Sequence, residues 1–378
     1  MIPLSVPNVS GREWEYVKDC LDTGWISTAG SYVSRFEEEF AKRVGSEGAV
    51  SLMNGTSALH LSLKAVGVQS GELVVIPNVT FVATANAVSY LGADPVLVDV
   101  EESHWQMDLK LLEEYLRFDC ERKGEELFEK LSMRRVAAIL IVHLQGGMCD
   151  IHKLKGLCDE FGLPLVEDAA EALGSTIEGR CAGTIGRVGC FSFNGNKIIS
   201  TGGGGMVVSD DAALIKTIRH LATTAKTDPL RYYHDQVGYN YRMVNVLSAI
   251  GLAQLESLDT FIAKKRSIAD FYRTNLSDVG DIGFQKILPN VESNEWLFTV
   301  RTSKSTDLIE FLNKEGVMSR PFWFPMSKLP MYETSRYVSN ADTSSILHTE
   351  GVSIPCSTSI TERELSEVVR KIKYFFAR

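Results

Sequence analysis

Val136-Ala137-Ala138-Ile139-Leu140-Ile141-Val142 is an unbroken apolar run with no polar alternation. A strand with one face in water alternates apolar and polar side chains, so this run predicts a strand covered on both faces by helices. Six shorter runs of β-forming residues flank it at Ala49 to Leu52, Leu73 to Ile76, Val96 to Val98, Leu163 to Val166, Cys190 to Phe193 and Met206 to Val208. Helix-like stretches lie between them, at Ala58 to Val66, Ala83 to Leu91, Leu109 to Leu116 and His152 to Phe161. Strands alternating with helices predict an α/β fold in which seven mainly parallel strands form one sheet between helices.

Two segments depart from this rhythm. Phe118 to Arg135 is charged and lacks a strong period, which predicts a surface excursion with a short helix. From Asn245 onward a longer helical period runs through Leu247, Ile250, Leu252, Leu255 and Leu258, followed by short strands and turns. The expected division is a large α/β domain at 1–245 and a smaller α+β C-terminal domain at 246–378.

The 378 residues carry a net charge of -9 and no Lys/Arg block, which argues against nucleic acid or an anionic membrane as the main partner. No apolar run approaches the roughly 18 residues of a membrane span, and the N-terminus lacks a signal-peptide pattern. Cysteines 20, 120, 149, 158, 181, 190 and 356 are scattered without C-x-x-C spacing, which fits reduced thiols, no metal site and a cytoplasmic setting.

Three motifs carry chemistry. Asn54-Gly55-Thr56-Ser57-Ala58 follows a strand and opens a helix, where free backbone N–H groups and the helix dipole receive a phosphate; Gly-Thr-Ser also suits an ordinary helix cap. Val166-Glu167-Asp168-Ala169-Ala170-Glu171 ends a strand in carboxylates at the sheet's carboxyl edge, where open α/β sheets place ligands. A carboxylate there keeps a pyridinium nitrogen protonated, and an N-capping Asp is the simpler alternative. Phe191-Ser192-Phe193-Asn194-Gly195-Asn196-Lys197, followed by Gly202 to Gly205, sets a lysine just past a strand in a turn of small residues. Desolvation turns such a lysine into a nucleophile. A phosphate cup, a partner for a pyridine nitrogen and an aldehyde-binding amine are the requirements of pyridoxal 5'-phosphate. His143 follows a strand end and is left outside the catalytic set.

With these motifs, and with Gly24-Trp25-Ile26-Ser27, Gly238-Tyr239-Asn240-Tyr241-Arg242-Met243 and Ser319-Arg320-Pro321-Phe322-Trp323, the chain resembles the nucleotide-sugar aminotransferases of the DegT/StrS type. These belong to the aspartate-aminotransferase class (fold type I) of pyridoxal-phosphate enzymes. The resemblance implies that Lys197 holds the cofactor as a Schiff base and carries protons. It gives Asp168 the pyridine nitrogen, Gly55, Thr56, Ser57 and Ser192 the phosphate, and Phe81 the ring face. Asn240 is implied to reach the phosphate of a neighbouring subunit, hence a homodimer with shared active sites. Trp25, Ser27, Asn194, Arg320 and Trp323 are expected at the substrate.

Two positions differ from the family pattern. Glu171 stands where relatives often carry Gln or His toward the cofactor's 3-oxygen, and a glutamate there must be protonated or turned aside. Ser327 stands where many relatives carry a histidine near the sugar. The implied reaction moves an amino group from L-glutamate to C4 of a nucleotide-linked 4-keto-6-deoxy sugar. The wording of residues 167–175 and 194–197 points first to UDP-2-acetamido-4-keto-2,6-dideoxyhexose. GDP-4-keto-6-deoxymannose, the perosamine-type substrate, comes second, and an amino-acid aminotransferase third. Lysine at 197 argues against the related sugar dehydratases, which carry histidine there.

Overall fold

The computed structural model describes residues 1–228 and 230–378. Two helices, α1 (Glu13–Thr23) and α2 (Ser31–Val44), precede strand β1 (Gly48–Leu52) and helix α3 (Gly55–Ala65). The chain then alternates through β2 (Leu73–Pro77), α4 (Ala83–Ser89), β3 (Asp94–Val98) and α5 (Leu109–Glu114). A hairpin of β4 (Cys120–Lys123) and β5 (Glu126–Glu129) leads into β6 (Arg135–Val142), α6 (Ile151–Phe161) and β7 (Leu165–Asp168). Two short strands, β8 (Thr176–Ile177) and β9 (Arg180–Cys181), come before β10 (Val188–Ser192), β11 (Gly205–Ser209) and α7 (Ala212–Ala222).

All seven expected strands fall in one sheet, in the order β1-β11-β10-β7-β6-β2-β3. β11 runs antiparallel to both its neighbours, and the other pairings along this path are parallel. β6 is central, and its residues divide between two cores. Val136, Ile139 and Ile141 pack with Phe36 and Phe40 of α2 and Leu154 and Leu157 of α6. Ala137, Ala138 and Leu140 pack with Leu59, Leu61 and Leu63 of α3 and Ile218 and Leu221 of α7. Burial on both faces is what removes polar alternation from the run.

Two expectations need correction. The charged 118–135 segment holds no short α-helix beyond one π-turn (Tyr115–Asp119) and instead forms the β4–β5 hairpin, attached to the main sheet through Leu127 beside Val136. Cys120, Leu127 and Glu129 are buried while Arg122, Lys123 and Glu126 are exposed, a half-covered hairpin whose turn at Gly124 adopts φ 66°. The sheet is also larger than seven strands, because Tyr337–Val338 from the C-terminal third pairs with β3 in parallel. Asp99 fixes that segment, its carboxylate accepting from Ser339 Oγ at 2.6 Å, Thr343 N at 2.8 Å and Ser344 N at 2.9 Å.

Helix α8 (Asn245–Glu256) packs on α1 and α2, and α9 (Leu258–Leu276) leads away from it to a four-stranded sheet of Gly283–Phe284, Phe298–Arg301, Gly351–Ile354 and Arg320–Pro321. Helices Ser305–Lys314 and Glu362–Phe376 pack together beside it, the latter opened by a Thr361/Glu364 capping box. Among the described residues, no single helix is long and apolar enough to cross a membrane.

Candidate active site

The carboxyl ends of β1, β7 and β10 and the start of α3 converge on a cavity of about 290 Å³. Its walls include Gly55, Thr56, Phe81, Thr84, Asp168, Glu171, Ser192, Asn194 and Lys197, together with Trp296 and Trp323 from the C-terminal third.

The start of α3 is brought against the sheet by glycines. A Cβ on Gly55 would lie 2.8 Å from the Ser192 Cβ, and one on Gly205 would lie 2.5 Å from the Asn54 carbonyl oxygen. Only glycine lets β10 and β11 approach the helix N-terminus this closely. Asn54 caps α3 by accepting the Ser57 N–H at 2.7 Å. Ser57 thereby spends its N–H on the cap and lines a neighbouring cavity with His60, Tyr90 and Tyr241, so of the expected phosphate cup Gly55, Thr56 and Ser192 line the main cavity.

Asp168 ends β7 almost wholly buried. Its Oδ2 accepts from Thr84 Oγ1 at 2.8 Å and its Oδ1 from Ala170 N at 3.1 Å. Burial pushes its carboxyl above the usual range, and the Thr84 and Ala170 donors only partly oppose that. A cationic ring nitrogen is the kind of partner such a carboxylate lacks, which fits the pyridoxal ring. Phe81 stands at the mouth, half exposed, with its ring edge-on to Trp323 at 5.8 Å and free to cover a bound ring.

Lys197 projects from a turn closed by its N–H bonding the Asn194 carbonyl at 3.0 Å. Its Nζ is 3.9 Å from Glu171 Oε1 and 3.9 Å from the centre of the Trp296 ring. Burial lowers the affinity of this amine for its proton, while Glu171 and Asp168 pull the other way. Glu171 is itself raised to about 7 by burial. Its Oε2 accepts the N–H of Gln145 at 2.8 Å, a residue held at φ 54° whose side chain bonds Thr299 Oγ1 at 2.8 Å. A carboxyl that exchanges its proton near neutrality removes much of the repulsion expected between a glutamate and a phenolate.

The expected substrate residues divide between the cavity and the surface. Asn194 and Trp323 line the cavity, and the shielded Trp323 indole N–H has no partner among the described residues. Trp25, Ser27 and Asn240 are exposed and lie outside this chain's own cavity; the Trp25 and Ser27 carbonyls are bonded by Asn245. Arg320 is exposed and donates to the Ser319 carbonyl at 2.9 Å, and Ser327 donates its N–H to Asn78 Oδ1 at 2.8 Å, both away from the cavity. His143 is fully buried, with Nε2 2.8 Å from Glu167 Oε2. Glu167 also accepts the N–H groups of Gly183 and Ile185 at 2.8 and 2.6 Å, so this pair holds the segment after β9 and stays out of the cavity.

Three contributors escaped the sequence reading. Thr80, three residues before α4, and Thr84, in its first turn, have hydroxyls 3.1 Å apart, and Thr84 passes this contact on to Asp168. Trp296 is 100 residues from Asn196 in sequence, and no local pattern announces it.

A family model described as the DegT/DnrJ/EryC1/StrS aminotransferase family matches residues 7–373. The chain is similar to the EpsN protein of Bacillus subtilis (strain 168), at 37% identity over 99% of this chain and 96% of that protein. It is 36% identical to the GDP-perosamine synthase of Vibrio cholerae, over 100% of this chain and 99% of that protein. Among solved structures, the aminotransferase TlmJ from Streptoalloteichus hindustanus superposes with a TM-score of 0.90 at 27% identity, covering 100% of this chain and 99% of that one.

Proposed function

We propose that this chain, which belongs to the DegT/DnrJ/EryC1/StrS aminotransferase family, transfers an amino group from L-glutamate to C4 of a GDP-linked 4-keto-6-deoxy sugar of the perosamine type. It is a pyridoxal-phosphate-dependent sugar aminotransferase. The nucleotide and the carbon rest on the whole-length similarity to GDP-perosamine synthase. That similarity favours the reading placed second in the motifs over the UDP-linked acetamido sugar. Residues 167–175 and 194–197 line or support the cofactor pocket, which different sugar substrates share, so their wording carries no nucleotide information.

When bound, pyridoxal phosphate supplies an electron sink for the carbon that loses its proton. Gly55, Thr56 and Ser192 would hold its phosphate at the α3 N-terminus. Asp168, oriented by Thr84 and Ala170, would hold a proton on the ring nitrogen. Phe81 would cover the ring, and Glu171 would meet the 3-oxygen as a carboxylic acid. Lys197 would anchor the cofactor aldehyde, then as a free neutral amine take the proton from the donor's α-carbon and return one at sugar C4. Trp296 and Trp323 give the cavity apolar walls on the side of Lys197.

The exposed positions of Trp25, Ser27 and Asn240 support a homodimer in which each chain completes the other's site. Seven unpaired cysteines suit a reducing compartment such as the cytoplasm. The test is incubation of the protein with pyridoxal phosphate, L-glutamate and, separately, GDP-, UDP- and dTDP-linked 4-keto-6-deoxy sugars, with products identified by mass and NMR. Amination of the GDP sugar in preference to the others is expected. Preference for the UDP-linked acetamido sugar would reverse the nucleotide assignment, and turnover of keto acids alone would remove the sugar.

A further inference from the structure

We infer that Trp296 is a positioning residue for Lys197: its indole face is the seat on which the protonated lysine amine rests when it is not bonded to the cofactor. Nζ lies 3.9 Å from the ring centroid, well inside the range over which a cation is attracted to an aromatic face. The indole is held at its edge and through its backbone. Its Nε1 donates to the Asn196 carbonyl at 2.7 Å, its backbone N–H donates to Asn294 Oδ1 at 2.9 Å, and its carbonyl accepts from the buried Lys265 at 2.7 Å. Trp323 stacks beside it at 6.5 Å with an interplanar angle of 26°.

The Nε1 bond ends on the residue immediately before Lys197, so the same side chain that receives the amine also fixes the turn that carries it. Asn294 binds the opposite wall too, donating to the Glu171 and Leu173 carbonyls at 3.0 and 2.9 Å. The amine therefore sits between Glu171 and the indole at a separation set by one asparagine. The charged groups facing Lys197 are Glu171 and Asp168. Trp296 adds an uncharged contribution of the same sign: it favours the ammonium against the desolvation that disfavours it. The reading rests on the Lys197 role proposed above, and not on the identity of the sugar.

The test is the pH dependence of pyridoxal phosphate uptake by the full-length protein stripped of cofactor, followed by absorbance. Uptake requires the neutral amine, which condenses with the aldehyde carbon and releases the oxygen as water, so its rate rises through the apparent pKa of Lys197. In Trp296→Leu that value should fall by about half a unit to one and a half units, the equivalent of one cation–aromatic contact. Trp296→Phe, which keeps a weaker aromatic face and loses the Nε1 bond, should lie between. Simple loosening of the wall would admit water and move the value upward. An unchanged or raised value in a folded Leu variant overturns the inference. If the Leu variant does not fold, the Phe variant decides by the same sign. Neither readout involves a sugar, so failure of every nucleotide sugar leaves this result standing on its own.

Discussion

Thr84→Val separates the role of the Asp168 carboxylate from that of its shape. The substitution is nearly isosteric and removes one hydroxyl, leaving Asp168 with the Ala170 N–H at 3.1 Å as its remaining donor and Thr80 without its 3.1 Å partner. A hydrogen bond to a charged group contributes about 1.5 to 3 kcal/mol. At 1.36 kcal/mol per unit, its loss raises the Asp168 pKa by about one to two units beyond the elevation that burial already causes. In the cofactor-free protein the carboxyl is raised, so it contributes stability at low pH that is lost as pH rises through the folded value. Thr84→Val extends the acid form upward at the cost of the ionised one. The variant should therefore be destabilised more at pH 8 than at pH 5, by up to about 1.5 to 3 kcal/mol at the alkaline end. In the loaded enzyme, weaker support for a protonated ring nitrogen should lower turnover about ten- to a hundredfold at neutral pH, with partial recovery as pH rises and Asp168 ionises. Thr84→Ser should restore both. The assays are chemical denaturation of cofactor-free protein at the two pH values and turnover across the same range. A stability loss equal at both pH values would show that Thr84 merely packs, and the assignment of Asp168 as an oriented carboxylate would fail.

Lys197→Ala should leave the protein folded, release pyridoxal phosphate on dialysis and lower amination by at least about a hundredfold, read by absorbance and product formation. Gly205→Ala places a methyl 2.5 Å from the Asn54 carbonyl; it should cost about 1 to 3 kcal/mol in urea unfolding and weaken cofactor binding, because the backbone that must yield is the opening of α3. Glu171 is raised to about 7 by burial, so its contribution to stability is present below about pH 4.5 and is lost as pH climbs through 7. Glu171→Gln should flatten the melting temperature between pH 5 and 8 relative to the parent, and a parent profile already flat there would rule out the elevated carboxyl.

What could be read from the sequence depended on how far apart the cooperating residues lie. Val136 to Val142 announces its own burial, because its two faces meet two cores and each residue carries the mark of its side. That Asp168 and Lys197 share one cavity was legible because each lies at or just past a strand end beside small residues, where local chemistry and sheet topology coincide. Thr84 and Trp296 were not, since their value lies in partners 84 and 99 or more positions away. The β4–β5 hairpin was missed because its open face is charged and its covered face sets Glu129 beside Cys120 and Leu127, so a short stretch of such residues reads like a solvated surface. Trp25, Ser27 and Asn240 were singled out as site residues, yet a single chain keeps them clear of its own cavity. The proposed dimer gives them a site to complete.

The pairing of Tyr337–Val338 with β3 bears on how the protein is made. Until that segment leaves the ribosome, β3 presents an open row of backbone groups at the margin of an otherwise complete sheet, with Leu97 and Asp99 N–H groups waiting for the Arg336 and Val338 carbonyls. An unpaired edge of this kind recruits strands from other chains. A fragment ending near residue 245 would contain every strand of the expected seven and still carry that exposed margin, so it should aggregate where the full chain does not. The last third of the polypeptide thus covers one margin of the sheet that the first two thirds build, withdrawing the β3 edge from pairing with other chains.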